Sequence, residues 1–151
     1  MAAQSDARPV IFAYDGSELA AFAIDEAARL LATPRPALVV TIWQPFDLGF
    51  VPVRGVSVDA ADIEHVRHAA EGTAGEGAER ADRAGFHAHA LALEGAPTWK
   101  ALVGLAQEHE ADLVVLGSHG RTGLSGVLLG SVAASVASHW QRSVLIVHRD
   151  S

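Results

Sequence analysis

Cysteine is absent from the 151 residues, which excludes a disulfide framework, a thiolate zinc site and a catalytic thiol. Lysine occurs once, at Lys100, so no polybasic patch is available to hold the chain on an anionic membrane. The apolar runs are all too short to cross a bilayer. Met1-Ala2-Ala3-Gln4-Ser5-Asp6 lacks a basic stretch followed by an apolar one, so it does not read as a secretory leader. A soluble, cytoplasmic protein without a membrane partner is expected. Basic charge is also scarce, with 11 Lys and Arg against 18 Asp and Glu and a formal net charge of −7. A nucleic-acid binder needs a basic face that releases counterions from phosphates, so no nucleic-acid partner is expected. A small phosphate site stays open, because backbone N–H groups can build one without any cation.

What is present is an apolar, aliphatic chain. Half of the residues are hydrophobic, 19% are charged and only 6% are aromatic. That composition specifies an ordered globular protein whose core is closely packed Ala, Val and Leu. The length fits one domain over 1–151, with an ordered core of about 8–149.

Five short apolar runs punctuate the chain: Val10 to Tyr14, Ala37 to Trp43, His87 to Leu93, Leu113 to Leu116 and Val144 to Val147. Four are continuous and rich in β-branched residues, as strands covered on both faces are. The third begins by alternating, which predicts a wetter face or an edge position. Between the runs the spacing turns helical. Ser17 is placed as an N-cap ahead of Ala20, Ala23, Ile24, Ala27, Leu30 and Leu31. Asp59 is placed as the cap of a second helix carrying Ile63, Val66, Ala70 and Ala74, although Gly72, Gly75 and Gly77 each cost it about 1 kcal/mol relative to alanine. Pro97 opens a third helix with Ala101, Leu102, Leu105 and Ala106 inward, and a fourth is expected from about Gly126 to His139. Residues 44–58 read as a loop. The alternation of strand and helix predicts an α/β fold: a five-stranded parallel sheet between helical layers, a three-layer α/β/α sandwich.

In such sheets ligands bind beyond the carboxyl ends of the strands. After the first run stands Asp15-Gly16-Ser17. After the fourth stands Gly117-Ser118-His119-Gly120-Arg121-Thr122-Gly123-Leu124-Ser125-Gly126, followed by Leu129-Gly130-Ser131. The segment has neither the P-loop pattern nor a nucleophile elbow, and no G-x-G-x-x-G follows the first run. Its glycines, lying between a strand and a helix, let backbone N–H groups approach a bulky anion closely. Gly130-Ser131 adds a second close approach and a hydroxyl.

Gly117-x-x-Gly120, nine residues, then Gly130-Ser131 resembles the ATP-binding motif G-x2-G-x9-G-[ST] of the universal stress protein family. The likeness runs from Val10 to Val147 and takes in Asp15-Gly16-Ser17 and the order of the strands. One branch of that family lacks the glycines and does not bind ATP; this chain keeps them all. The resemblance implies a Rossmann-like fold of the adenine nucleotide alpha hydrolase type, and ATP with Mg²⁺ as ligand. It further implies that Asp15 lies beside the nucleoside, that Ile42 meets adenine through its backbone, and that Gly117, Gly120, Gly130 and Ser131 hold phosphate and ribose. Ala13, Ser118, Arg121, Gly123 and Val132 neighbour those contacts. A homodimer paired through the fifth run, Val144 to Val147, is implied as well. The chain departs from the family in having Gln141-Arg142-Ser143 where Pro often precedes the last strand, and Ala13 where many relatives have glycine.

Three functional classes follow. The first is an ATP-binding regulator of the stress response in which hydrolysis is slow, since no residue stands out as a catalytic base. The second is a nucleotide-using hydrolase or transferase on the same scaffold. The third is an interaction module without a nucleotide. The eight histidines yield pairs, His65 with His68 and His87 with His89, but neither has an evident third ligand, so no protein-only metal site is expected. Ser118, His119 and Asp15 could be drawn as a hydrolytic triad, but neighbours in sequence rarely point at one another.

Overall fold

The structure, a computed structural model, describes residues 7–45, 60–120 and 129–149. Asp59, residues 46–58 of the loop expected over 44–58, and Arg121 and Gly123 lie outside the described residues. The element order is β1 (Val10–Ala13), α1 (Glu18–Leu30), β2 (Arg35–Trp43), α2 (Ala60–Ala84), β3 (Phe86–Glu94), α3 (Thr98–Glu108), β4 (Leu113–Gly117), α4 (Ser131–His139) and β5 (Ser143–Val147).

The five strands make one parallel sheet in the order β3-β2-β1-β4-β5. The continuous apolar runs are explained by the pleat, because successive side chains enter two different cores. Val10, Phe12, Val39 and Val115 face α1 and α2, where Ala23, Ala27, Ala78 and Ala81 let the helices approach closely. Ile11, Val40, Val114 and Leu116 face α3 and α4 and pack with Leu102, Leu105, Ala106 and Val136. Phe12 and Ile11, both essentially buried, contribute about 1.5–3 kcal/mol each by leaving water. The alternating β3 is an edge strand, and His87 and His89 share its exposed face.

One expectation holds against helix propensity and two change. The glycine-studded second helix is continuous for 25 residues, because Ala70, Ala74, Gly77, Ala78 and Ala81 are buried along it. Packing overrides propensity there. A Cβ on Gly77 would come within 2.6 Å of Val39 Cγ1 and 2.7 Å of Tyr14 Cδ1, so the residue least helix-prone after proline is the one that fits. The fourth helix starts at Ser131, not near Gly126; Gly130 is its N-cap, with extended φ −70° and ψ 163°. In α1, Leu30 is half-exposed and lies off the buried face that was expected to include it.

Candidate functional site

Sheet order reverses between β1, which leads outward to β2 and β3, and β4, which leads to β5. Such a reversal splays the connections leaving the strands and opens a crevice at their carboxyl ends. A cavity of about 350 Å³ lies there. It is lined by Ala13 and Asp15 after β1, Val40 and Ile42 of β2, Gly117, His119 and Gly120 after β4, and Leu129 to Ala133 at the start of α4. Tyr14, Ala20, Thr98, Leu102 and Leu116 complete the lining.

The turn after β1 is held tightly. The Thr41 hydroxyl donates to the Tyr14 carbonyl (2.8 Å) and the Tyr14 N–H donates to the Val40 carbonyl (2.9 Å). Asp15 Oδ1 accepts from the Ser17 N–H (2.9 Å), and Ser17 Oγ accepts from the Ala20 N–H (3.1 Å), capping α1. Gly16 between them has φ +82°, the left-handed region that glycine enters freely. Tyr14 sends its ring to the opposite face of the sheet, against Gly77 of α2. Burial and the nearby Glu76 raise its hydroxyl above the ordinary tyrosine range, so it is a neutral phenol and not a base.

Opposite Asp15 the glycine loop passes at close range. A Cβ on Gly120 would sit 3.1 Å from Asp15 Oδ2, and one on Gly117 would sit 2.8 Å from Leu19 Cγ. Gly130 packs on the loop itself: its N–H donates to the Ser118 carbonyl (2.6 Å), and a Cβ would sit 3.1 Å from His119 Cα. The spacing between the two halves of the motif is thereby explained. Residues 117–120 and 130 are one packed unit, tied in turn to β5 through the Ser118 N–H and the Val147 carbonyl (2.9 Å).

At α4 the first helical bond runs from the Ala134 N–H to the Gly130 carbonyl (2.9 Å). The N–H groups of Ser131, Val132 and Ala133 lie ahead of it without an intrahelical acceptor, and all three residues line the cavity. Among the described residues no side chain caps this end. These donors and the positive end of the helix dipole favour an anion, by about 0.3–1 kcal/mol for the dipole when exposed. Ser131 is the first helical residue and not the cap, so its hydroxyl is not spent on the helix.

Of the residues expected at the site, Ala13, Asp15, Ile42, Gly117, Gly120, Gly130, Ser131 and Val132 meet on the cavity. Ser118 does not: it is 3% exposed and lies behind the lining. Its hydroxyl does reach its neighbour, 3.2 Å from His119 Nδ1, contrary to the expectation for adjacent residues. Because Ser118 is buried, this contact orients the imidazole and presents no nucleophile to the cavity. The sequence reading missed Thr98, Leu102 and Leu116 as lining residues, and Val40 and Leu129 with them. Only the strand order, which stacks α3 over β2, brings the first two there. Among the described residues no three His, Asp or Glu side chains are grouped as metal ligands, and no helix is long and apolar enough to cross a membrane.

Comparison with known proteins matches the same architecture. The profile described as "Universal stress protein family" covers residues 7–148. Universal stress protein Rv1636 of Mycobacterium tuberculosis is 33% identical over 149 residues, covering 93% of this chain and 96% of its own. A solved universal stress protein in complex with cAMP is similar at 32% identity and TM-score 0.62, over 95% of this chain and 98% of its own. Protein MJ0577 of Methanocaldococcus jannaschii shares the fold, with TM-score 0.76 at 22% identity over 95% and 97% of the two chains. A profile that spans nearly all of the described structure, together with relatives aligned end to end, leaves one assignment: the chain belongs to the universal stress protein family.

Proposed function

We propose that the cavity binds an adenine nucleotide, ATP with Mg²⁺, and that occupancy serves a regulatory role in a cytoplasmic stress response, with slow hydrolysis or none. One observation carries the reading. The acceptor-free amides of Ser131, Val132 and Ala133, the Gly117–Gly120 backbone and the Asp15 carboxylate converge on one end of a cavity whose other end is apolar. Amides suit phosphate, a carboxylate suits ribose hydroxyls, and an apolar slot suits a purine ring. With a single aspartate at hand, Mg²⁺ would be held mainly by phosphate oxygens, beside Asp15 or Ser131.

Slow turnover follows from the same geometry. Among the described residues that line the cavity there is no Lys or Arg to offset charge developing on a transferring γ-phosphate. A hydrolase or transferase on this scaffold would instead show rapid turnover of ATP that Asp15→Asn abolishes. A second ligand deserves a parallel trial because a relative of 32% identity is described in complex with cAMP. Both nucleotides share the adenosine and differ in phosphate.

Calorimetric titration with Mg-ATP, ATP in EDTA, and cAMP tests the reading. Saturable 1:1 binding of an adenine nucleotide is expected, and Gly120→Val, which points a side chain at Asp15, should weaken it at least tenfold. No heat with any of the three would refute it. We also propose a homodimer through β5, an edge strand whose Val144, Leu145 and Ile146 remain half-buried in the monomer. A monomeric mass by light scattering at micromolar concentration would refute that.

A further inference from the structure

We infer that Thr98 is a base-binding residue, its hydroxyl anchoring the polar edge of the purine ring in the apolar end of the cavity. The inference rests on the nucleotide reading above and deepens it. The cavity has two chemically distinct ends. Toward β1 and β4 lie Asp15, His119 and Ser131, with a Cβ on Gly120 only 3.1 Å from Asp15 Oδ2. Toward β2 the lining is Val40, Ile42 and Leu102, and here α3 packs on the strand. Thr98 is the first residue of α3, and it lines the cavity one turn ahead of Leu102. Tyr14 also lines the cavity, but its ring is on the opposite face of the sheet. Among the described lining residues, Thr98 thus carries the one side-chain hydrogen-bonding group at the apolar end.

Its hydroxyl is not used by the fold. Pro97 is the N-cap of α3 and no side chain caps that helix; Thr98 makes no hydrogen bond among the described residues through its side chain. The position is nonetheless well held. Trp99 stacks on His139 of α4 with ring centroids 4.0 Å apart and planes at 23°, which fixes the first turn of α3 against α4. A rigidly placed hydroxyl can donate to a ring nitrogen or accept from an exocyclic amine. The backbone of Ile42 can meet one edge of a flat ring there, and a hydroxyl at Thr98 adds a second directed hydrogen bond that fixes the ring's register.

The test separates base from phosphate. Dissociation constants for Mg-ATP and, by competition, for magnesium tripolyphosphate, which has no base, are compared in wild type, Thr98→Val and Thr98→Ser. Thr98→Val keeps the shape and removes the hydroxyl; its unliganded unfolding midpoint is measured alongside. Loss of one neutral hydrogen bond should weaken ATP roughly 3- to 10-fold, with Thr98→Ser close to wild type and tripolyphosphate unchanged in both. ATP binding by Thr98→Val equal to wild type would overturn the inference. So would an equal loss for ATP and tripolyphosphate, since Thr98 would then act on phosphate or on the fold. Wild-type protein that binds neither probe would overturn the nucleotide reading itself.

Discussion

The two faces of the sheet are built from the same small apolar residues but finish their helices differently. On the α1/α2 face the described helix start, that of α1, is capped by a side chain. Ser17 caps α1, alanines bring the helices onto the strands, and Arg80 of α2 pairs with Asp25 of α1 across the outer surface. On the α3/α4 face both helices begin without a side-chain cap, at Pro97 and Gly130, and both first turns border the cavity. Where α1 spends Ser17 on its first amides, α4 leaves its own bordering the cavity, where the proposed nucleotide would take them. On the proposed reading, the difference separates residues that hold the fold from residues that would hold a ligand.

The largest effect should come from breaking the α1/α2 face. Gly77→Val places a side chain on Val39 and Tyr14, and overpacking of this kind should cost about 1–3 kcal/mol in urea unfolding. A variant as stable as wild type would mean that α2 shifts freely on the sheet. Smaller and sharper is the contrast between two helix-start serines. Ser17→Ala removes a cap and should cost about 1 kcal/mol without ligand. Ser131→Ala removes a hydroxyl that caps nothing, so unliganded stability should stay within about 0.5 kcal/mol while nucleotide affinity falls. Equal losses of unliganded stability in the two variants would erase the distinction between the faces.

Much of this molecule was legible in its residues, for physical reasons that can be named. Strands entering two cores must be apolar at every position, which is why Val10 to Ala13 and Leu113 to Leu116 were unambiguous. The motif glycines were legible because Gly120 and Gly130 pack against Asp15 and the loop at distances where a Cβ intrudes. Three things were not. The register between a glycine-rich helix and its sheet is a tertiary fact, so Gly77 read locally as a weakness when it is a fitted contact. Thr98 carries no motif; it reaches the cavity only because strand order sets α3 above β2. The beginning of α4 was misplaced because Gly130, a cap without a side chain, looks in sequence like one more glycine of the loop.

The central claim is that the bare start of α4 and the glycine loop hold a nucleotide, and ligand-dependent stability tests it most directly. In thermal and urea unfolding at Mg-ATP 100 times above its dissociation constant, the wild-type protein should gain about 2.7 kcal/mol. Gly120→Val should gain far less at the same nucleotide concentration while matching wild type without it, since Gly120 is exposed and, among the described residues, its Cβ would meet only Asp15. Stabilisation of that size, lost in the variant, is the predicted result. An unfolding transition that does not move with nucleotide, or a variant that gains as much as wild type, would contradict the account.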